Sequence, residues 1–293
     1  MATAKLNQLS APTFSWLGVN GTERKIPDDI AEKFVISGTA DTVSKIPLTK
    51  SANVTVSGSR NPLTVIMKIE AEQAHIRTAV HADNGAQIRV VQIINGGTIL
   101  NDFHADLADQ AALELVQIYL NPADCVSGIE IRMNGRKSVF TSNIGYLVSD
   151  DHALDINLNI VQNGKKSDSN TTVRGVLRDR AKKIFRGTID FQNGAAGASG
   201  TEQENVLLLD ETVVNKTVPV ILCAEEDVAG SHGATIGQID PGHIFYMQSR
   251  GISEAQIYEI LAHSQLGSIV NRIGDAETEQ TVCRMLGRES EDA

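Results

Sequence analysis

Short stretches of this sequence alternate apolar and polar residues with a period of two, and this pattern restricts the fold more than any other feature. The clearest stretch places apolar side chains at Leu154, Ile156, Leu158 and Ile160. Successive side chains of a strand point to opposite faces, so the alternation indicates strands with one buried face. Aromatic residues make up only 4% of the chain. The core must therefore consist of aliphatic side chains, which favours strands. We predict a mainly β fold.

Asn-Gly pairs separate several of these stretches. Both residues tolerate a positive φ, so each pair can form a tight turn. From Asn134 onward the pairs recur at intervals of roughly 30 residues, a spacing that a solenoid also produces. Asn-Gly is equally the usual turn of an antiparallel hairpin. The residues alone therefore leave both a β-solenoid and a β-sandwich open. The five pairs are Asn84-Gly85, Asn95-Gly96, Asn134-Gly135, Asn163-Gly164 and Asn193-Gly194.

The pattern changes to a helical one after Gly251. Ser253 is a suitable helix N-cap, and Gln256 stands where a capping box requires it. Three apolar residues then fall on one helical face, namely Ile257, Ile260 and Leu261. Near the other end of the chain, the acidic start of the segment from Asp28 to Phe34 predicts a short helix. We divide the chain into a short mixed segment (1–50), a β core (51–250) and a helical region (251–293).

Charge and cysteine content exclude several functional classes. The formal net charge is −10, whereas binding of nucleic acid phosphates requires clustered cations. No apolar run approaches the length of about 20 residues that a membrane span needs. The cysteines Cys125, Cys223 and Cys283 are widely spaced and form no CxxC pair. They indicate a reducing cytoplasm and exclude a four-cysteine site within one chain. We expect a cytoplasmic protein that binds neither nucleic acid nor membrane.

Four segments of the second half stand in a distinctive order and spacing. They run from Arg174 to Ile189, from Gln203 to Pro219, from Glu226 to Gly237, and from Ile244 to Ile252. The third contains the motif Ser-His-Gly-Ala-Thr at 231–235, and the fourth contains Ser-Arg-Gly-Ile at 249–252. Together they resemble the SufB/SufD family of iron–sulfur cluster assembly scaffolds. The similarity extends from Val173 to about Leu266.

The resemblance implies a right-handed parallel β-helix followed by C-terminal helices, with the Asn-Gly pairs as its corners. Members of this family dimerise through the β-helix and bind SufC, an ABC-type ATPase, through the C-terminal helices. The helix from Ser253 to Leu266 is therefore expected to dock the ATPase, with Ile257, Ile260 and Leu261 as candidate contacts. The chain lacks a Walker A motif. We expect a non-catalytic scaffold that binds no nucleotide, as a homodimer or with a SufB-like paralogue, receiving sulfur from a donor protein.

Three residues are candidates for holding a transient iron–sulfur cluster or its iron. His232 matches the histidine that SufD-like members use in cluster assembly, and a neutral imidazole is a good iron ligand. Glu204 occupies a position where SufB-like members carry a cysteine, and its carboxylate can bind iron as an oxygen ligand. An exposed glutamate on a strand is the alternative interpretation of this residue. Cys223 lies in an apolar run, which indicates a buried structural cysteine; its proximity to the third segment also makes it a sulfur-handling candidate. Gly230 and Gly233 replace a cysteine and a glutamate of other members, which indicates a SufD-like or reduced scaffold.

Two other functions fit a β-helix. A carbohydrate-active enzyme would use carboxylates and aromatic sugar platforms, for which one Trp and four Tyr are few. A structural β-solenoid adhesin would need an export signal, which the sequence from Met1 to Pro12 does not show.

Overall fold

The computed structural model describes residues 3–13, 15–25, 31–38 and 42–287, and two parallel sheets of eight strands contain most of them. We name the sheets after their strand numbers. The odd sheet contains β3 (Glu32–Ser37), β5 (Ala52–Gly58), β7 (Gln73–Ala82), β9 (Thr98–Leu107), β11 (Asp124–Met133), β13 (Ala153–Gln162), β15 (Lys182–Phe191) and β17 (Val214–Cys223). The even sheet contains β4 (Thr42–Leu48), β6 (Leu63–Ile69), β8 (Gln87–Asn95), β10 (Ala112–Leu120), β12 (Val139–Val148), β14 (Asp168–Leu177), β16 (Ala198–Leu208) and β18 (Val228–Gln238).

Consecutive strands alternate between the two sheets, and each strand pairs in parallel with the strand two places further along the chain. This is a parallel β-helix, so the predicted fold is confirmed and the antiparallel sandwich is excluded. One turn of the β-helix, which we call a rung, contains one strand of each sheet. The number of residues in a rung increases along the chain. Glu32 pairs with Ala52, a step of 20 residues, whereas Lys182 pairs with Val214, a step of 32 residues.

The Asn-Gly pairs form corners between strands of different sheets, as the family resemblance implied. Corners of successive rungs stack on one another, and the side chain of Asn163 donates a hydrogen bond of 2.8 Å to that of Asn134. The stacking is so close that a Cβ on Gly164 would lie 1.8 Å from the carbonyl oxygen of Gly135. Glycine is therefore required here by the neighbouring backbone and not by a hairpin.

The aliphatic rows of the strands fill the interior. Each of Leu154, Ile156, Leu158 and Ile160 is at most 1% exposed, which confirms the alternation. Three helices follow the strands: α1 (Pro241–Ser249), α2 (Glu254–Val270) and α3 (Ala276–Met285). The predicted capping box is present, with Ser253 and Gln256 bonding each other's backbone N–H. In the described residues, none of these helices combines the length and the apolar character that a membrane span requires.

Helices α2 and α3 fold back over the outer face of the even sheet. Apolar side chains of the helices and of the even sheet form a second apolar core at this face. The helices therefore pack against the middle rungs and not only against the last one. The members of this second core from the sheet are Ile66, Val91, Ile93, Val116, Ile118 and Leu120, and its members from the helical region are Leu266, Ile269, Val270, Ile273, Val282 and Leu286.

The strands begin earlier than residue 51, and α1 begins before residue 251. The division of the chain at these residues stays a prediction. The predicted short helix is wrong at Glu32 to Phe34, because these residues pair with β5 as part of a strand; Asp28 to Ile30 lie outside the described residues. Pairing with a neighbouring strand here overrides the local helix signal.

Residues 3–13 and 15–25, which we name the N-terminal strap, cross the outer face of the odd sheet. The strap contains β1 (Thr3–Leu6) and β2 (Thr22–Lys25), which pair antiparallel, and a 3₁₀ turn (Ser15–Leu17). Leu9 and Val19 pack against Val218 of β17. Below the strap, Arg186 is completely buried and pairs with Asp155. The buried ion pair and the apolar contacts hold the strap on the last rungs of the β-helix.

Candidate functional site

The β-helix is open at its C-terminal end, where β17 and β18 form the last rung. In the part of the chain that the structure describes, no strand pairs with the outer edge of either strand. Every residue from Ser231 to Ile236 is exposed. An uncovered edge presents unpaired backbone N–H and C=O groups.

His232 lies at this open end, in the exposed part of β18. In the parallel pairing of β16 and β18, the residue aligned with His232 is Glu202, and we call such aligned residues register partners. The side chain of Glu202 points into the interior and is only 4% exposed. Register partners on adjacent parallel strands direct their side chains to the same face. The imidazole of His232 therefore belongs to the interior row of the last rung.

Glu204 has a different environment from the one that the sequence suggested. It is 1% exposed, and its carboxylate accepts hydrogen bonds from Lys183 Nζ at 2.5 Å, from Thr217 Oγ1 at 2.6 Å and from Tyr146 Oη at 3.2 Å. Its register partner is Ala234, not His232. The Glu204 carboxylate thus accepts hydrogen bonds from three donors. The interpretation of Glu204 as an exposed strand glutamate is wrong, because this face of β16 lines the interior.

Iron binding by Glu204 and by His232 stays a prediction, and in the structure the Glu204 carboxylate accepts hydrogen bonds from three side chains. Among the described residues, no group of three or more His, Cys, Asp or Glu side chains is arranged to hold a metal ion. A site at His232 would consequently have to be completed by water or by a second chain.

Sequence reasoning missed Glu202 and Lys183, which complete a buried charged cluster around Glu204. Burial, and next the charge of Glu204, raise the pKa of Glu202 to about 8, while Lys183 acts in the opposite direction. Burial lowers the pKa of Lys183, and the attraction of Glu204 opposes it. The available signal was the spacing of two between Glu202 and Glu204, which places both side chains on one face of a strand.

Cys223 is the last residue of β17 and is exposed. The default reading as a buried cysteine is therefore wrong. Its register partner Phe191 is completely buried in the preceding rung. The difference arises because no strand in the described part of the chain covers the outer edge of β17. A role in sulfur handling stays a prediction.

The three candidate docking residues on α2 differ in accessibility. Ile257 is completely buried, Leu261 is half-buried, and Ile260 is 50% exposed. Ile257 therefore packs within this chain and has no surface to offer a partner. The neighbouring helix α1 buries none of its residues. Two aromatic residues of α1 are exposed, Phe245 at 74% and Tyr246 at 56%. The sequence analysis included both in the fourth family segment but did not predict their exposure.

We name Phe245, Tyr246 and Ile260 the exposed helical residues. Helices α1 and α2 contact each other, so these apolar side chains belong to one helical pair. Large apolar side chains that stay exposed on neighbouring elements are typical of a protein–protein contact surface.

Comparisons with known proteins identify relatives of this chain. The family model described as "SUF system FeS cluster assembly, SufBD core domain" matches residues 42–265. The iron–sulfur cluster assembly protein SufD of Bacillus subtilis is 32% identical over 114 residues, which are 39% of this chain and 26% of that protein. SufD of Escherichia coli is 25% identical over 157 residues, which are 54% of this chain and 37% of that protein. The matches thus span well under half of these relatives. Because the family model covers most of the described chain, this protein belongs to the SufBD core-domain family of the SUF system.

Proposed function

We propose that this chain is a scaffold subunit for iron–sulfur cluster assembly. The single observation that carries the proposal is the match of the SufBD core-domain model to residues 42–265. The subunit works with a SufC-like ABC-type ATPase in a SufBC-type or SufBCD-type complex, receives sulfur from a donor protein and acts in the cytoplasm. The ATPase hydrolyses ATP, and the scaffold itself is non-catalytic. The family membership leaves the carbohydrate-active enzyme and the adhesin without support.

The helical region supports docking of the ATPase. Phe245, Tyr246 and Ile260 expose between 50% and 74% of their surfaces. Aromatic side chains dominate the binding energy of many interfaces. Helix α2 is anchored on the even sheet through Leu266, Ile269 and Val270. A partner that moves the helical pair would therefore act on the middle rungs of the β-helix.

The open end supports pairing with a second scaffold chain. Among the described residues, both last strands have an unpaired edge, and His232 has too few neighbouring ligands to hold a cluster alone. A second copy of this chain, or a SufB-like paralogue, would cover the edge and bring further ligands to His232. We propose that the transient cluster is assembled between the two chains.

Coexpression with the SufC-like ATPase tests the function. We expect the two proteins to copurify, and the complex to support iron-dependent formation of a cluster with a cysteine desulfurase as the sulfur source. The absorbance of the cluster and the iron and sulfide content measure the result. A chain that binds no such ATPase and does not affect cluster formation would contradict the proposal.

Substituting the exposed helical residues tests the docking surface. We expect Phe245→Asp combined with Ile260→Asp to weaken binding of the ATPase about tenfold or more, because charges would replace apolar contacts. Titration calorimetry measures the affinity. The matched control is Val35→Asp, which replaces an 81% exposed apolar residue of β3. Equal affinities for both variants would show that the ATPase binds elsewhere.

Substituting His232 tests the assembly site. We expect His232→Ala to reduce cluster formation while the fold and the dimer stay intact, because the side chain is exposed. The control is His104→Ala, which removes another exposed histidine, 61% exposed on β9. Cluster formation by the complex, with circular dichroism and size-exclusion chromatography, measures the outcome. Cluster formation at the wild-type rate would remove His232 from the site.

A further inference from the structure

The corners of two successive rungs carry four cationic side chains. Arg136 and Lys137 lie in the corner between β11 and β12, and Lys165 and Lys166 lie in the corner between β13 and β14. All four residues are exposed. The backbone N–H of Lys137 donates a hydrogen bond of 2.9 Å to the carbonyl oxygen of Lys165, so the two pairs stack on each other. We name these four residues the basic ridge.

The basic ridge is an unfavourable arrangement for a chain without a partner. Like charges at neighbouring positions repel each other, and none of the four side chains forms a salt bridge with a described residue. Lys137 and Lys166 also have φ values of 55° and 56°, a left-handed conformation that asparagine and glycine adopt more readily than lysine. In the described part of the chain, no ion pair therefore compensates for the repulsion within the ridge.

Two carboxylates of neighbouring corners are bonded to the backbone and not to the ridge. Asp109, in the preceding corner, accepts a hydrogen bond of 2.7 Å from the backbone N–H of Arg136. Glu225, after β17, accepts hydrogen bonds of 3.0 Å from the backbone N–H of Gly194 and from that of the next residue. These bonds are the main reason why the pKa of Glu225 is lowered, and the charge of Lys165 contributes less. The charged groups of the ridge thus stay available to a partner.

A cleft of about 450 Å³ adjoins the ridge on the outer face of the even sheet. Val139, two residues after Lys137, lines this cleft together with Arg272, which follows α2. Inside the cleft, the carboxylate of Glu114 is already paired with Arg89, whose Nε and Nη2 both lie 2.8 Å from Oε2. Arg272 has no such partner among the described residues. Its guanidinium therefore gives the cleft a net positive charge.

We propose that the basic ridge and the adjoining cleft bind an acidic polypeptide segment of a partner protein. Carboxylates of the segment pair with the ridge, and one further carboxylate enters the cleft to pair with Arg272, whose planar guanidinium can donate two parallel hydrogen bonds to it. A polypeptide fits better than a nucleic acid, because the net charge of −10 repels a long phosphate backbone. A short acidic segment needs only local charge complementarity. The ridge and the exposed helical residues belong to different elements, so this surface is separate from the one that we assign to the ATPase.

Fluorescence anisotropy of a labelled oligoglutamate peptide, titrated with the full-length protein at low salt, tests this surface. We expect wild type to bind the peptide, and Lys137→Asn combined with Lys166→Asn to weaken binding about fivefold or more. Asparagine adopts the left-handed conformation readily, so the fold should persist, which thermal unfolding verifies. The matched control combines Lys33→Asn with Lys182→Asn, which removes two exposed lysines of the odd sheet and gives the same net charge. We expect the control to bind the peptide nearly as tightly as wild type.

Three results would overturn the assignment of this surface. They are no binding of the peptide by wild type, equal affinities of the ridge variant and its control, and tighter binding of a labelled single-stranded oligonucleotide than of the peptide. The last result would make the ridge a nucleic acid surface. Arg272→Gln should also weaken binding of the peptide, and wild-type affinity of this variant would exclude the cleft from the surface.

Discussion

Replacing Lys183 by Ala is expected to lower the free energy of unfolding by about 3–5 kcal/mol, because the substitution leaves a buried carboxylate without its cation. Lys183 and Glu204 have exposures of 0% and 1%, and their charged atoms are 2.5 Å apart. Lys183 also donates a hydrogen bond of 3.1 Å to Thr217 of the last rung. Urea denaturation followed by circular dichroism measures the loss. The last rung should unfold first, since it loses its contact with Lys183.

The preceding residue provides the matched control. Lys182 is exposed at the start of β15, and Lys182→Ala should unfold at nearly the same urea concentration as wild type. Combining Lys183→Met with Glu204→Gln should recover much of the loss, because replacing both members of a buried ion pair is less harmful than removing one. A Lys183→Ala protein that is as stable as the Lys182→Ala protein would show that the buried pair contributes little.

Arg186→Ala is expected to have a comparable effect on the opposite side of the odd sheet, a loss of about 3–5 kcal/mol, by the same uncompensated burial of charge. The guanidinium is completely buried, pairs with Asp155 and donates to the backbone carbonyl of Val19. Asn7 Nδ2 donates a hydrogen bond of 2.5 Å to Oδ1 of the same aspartate. The substitution should therefore also release the N-terminal strap. Limited trypsin digestion should cleave after Arg24 or Lys25 sooner than in wild type.

The control for this prediction is Arg180→Ala. Arg180 also pairs with an aspartate, Asp151, but the two side chains are 66% and 69% exposed. Exposed ion pairs contribute little to stability, so denaturation and digestion should remain close to wild type. Equal digestion rates for the Arg186 and Arg180 variants would contradict the assigned role of the buried pair.

The strands could be predicted from residues such as Leu154 to Ile160 because alternation is a local signal. The choice between parallel and antiparallel pairing could not, since the Asn-Gly turn is locally compatible with both. It is decided by contacts between rungs, such as Gly164 against Gly135. Only the resemblance to the SufB/SufD family predicted the parallel pairing.

The site was less predictable because burial depends on which rung is the last one. Cys223 and Phe191 are register partners, yet one is exposed and the other is buried. The partner of Glu204 comes from 21 residues earlier in the chain, so no local pattern within β16 indicates the ion pair. Ile257 and Ile260 share a predicted helical face but differ completely in exposure, because the position of α2 against the β-helix decides which of them is covered.

The N-terminal strap has a consequence for the order of folding. Successive rungs contact each other over 20 to 32 residues, so each can form soon after it leaves the ribosome. The strap instead bonds residues 100 to 199 positions later, from Arg24 to Asp124 and from Leu17 to Lys216. Contacts across such sequence distances form late, because the intervening chain must first be ordered. The residues of the strap are synthesised before those rungs and must wait for them, so docking of the strap marks the completion of the β-helix.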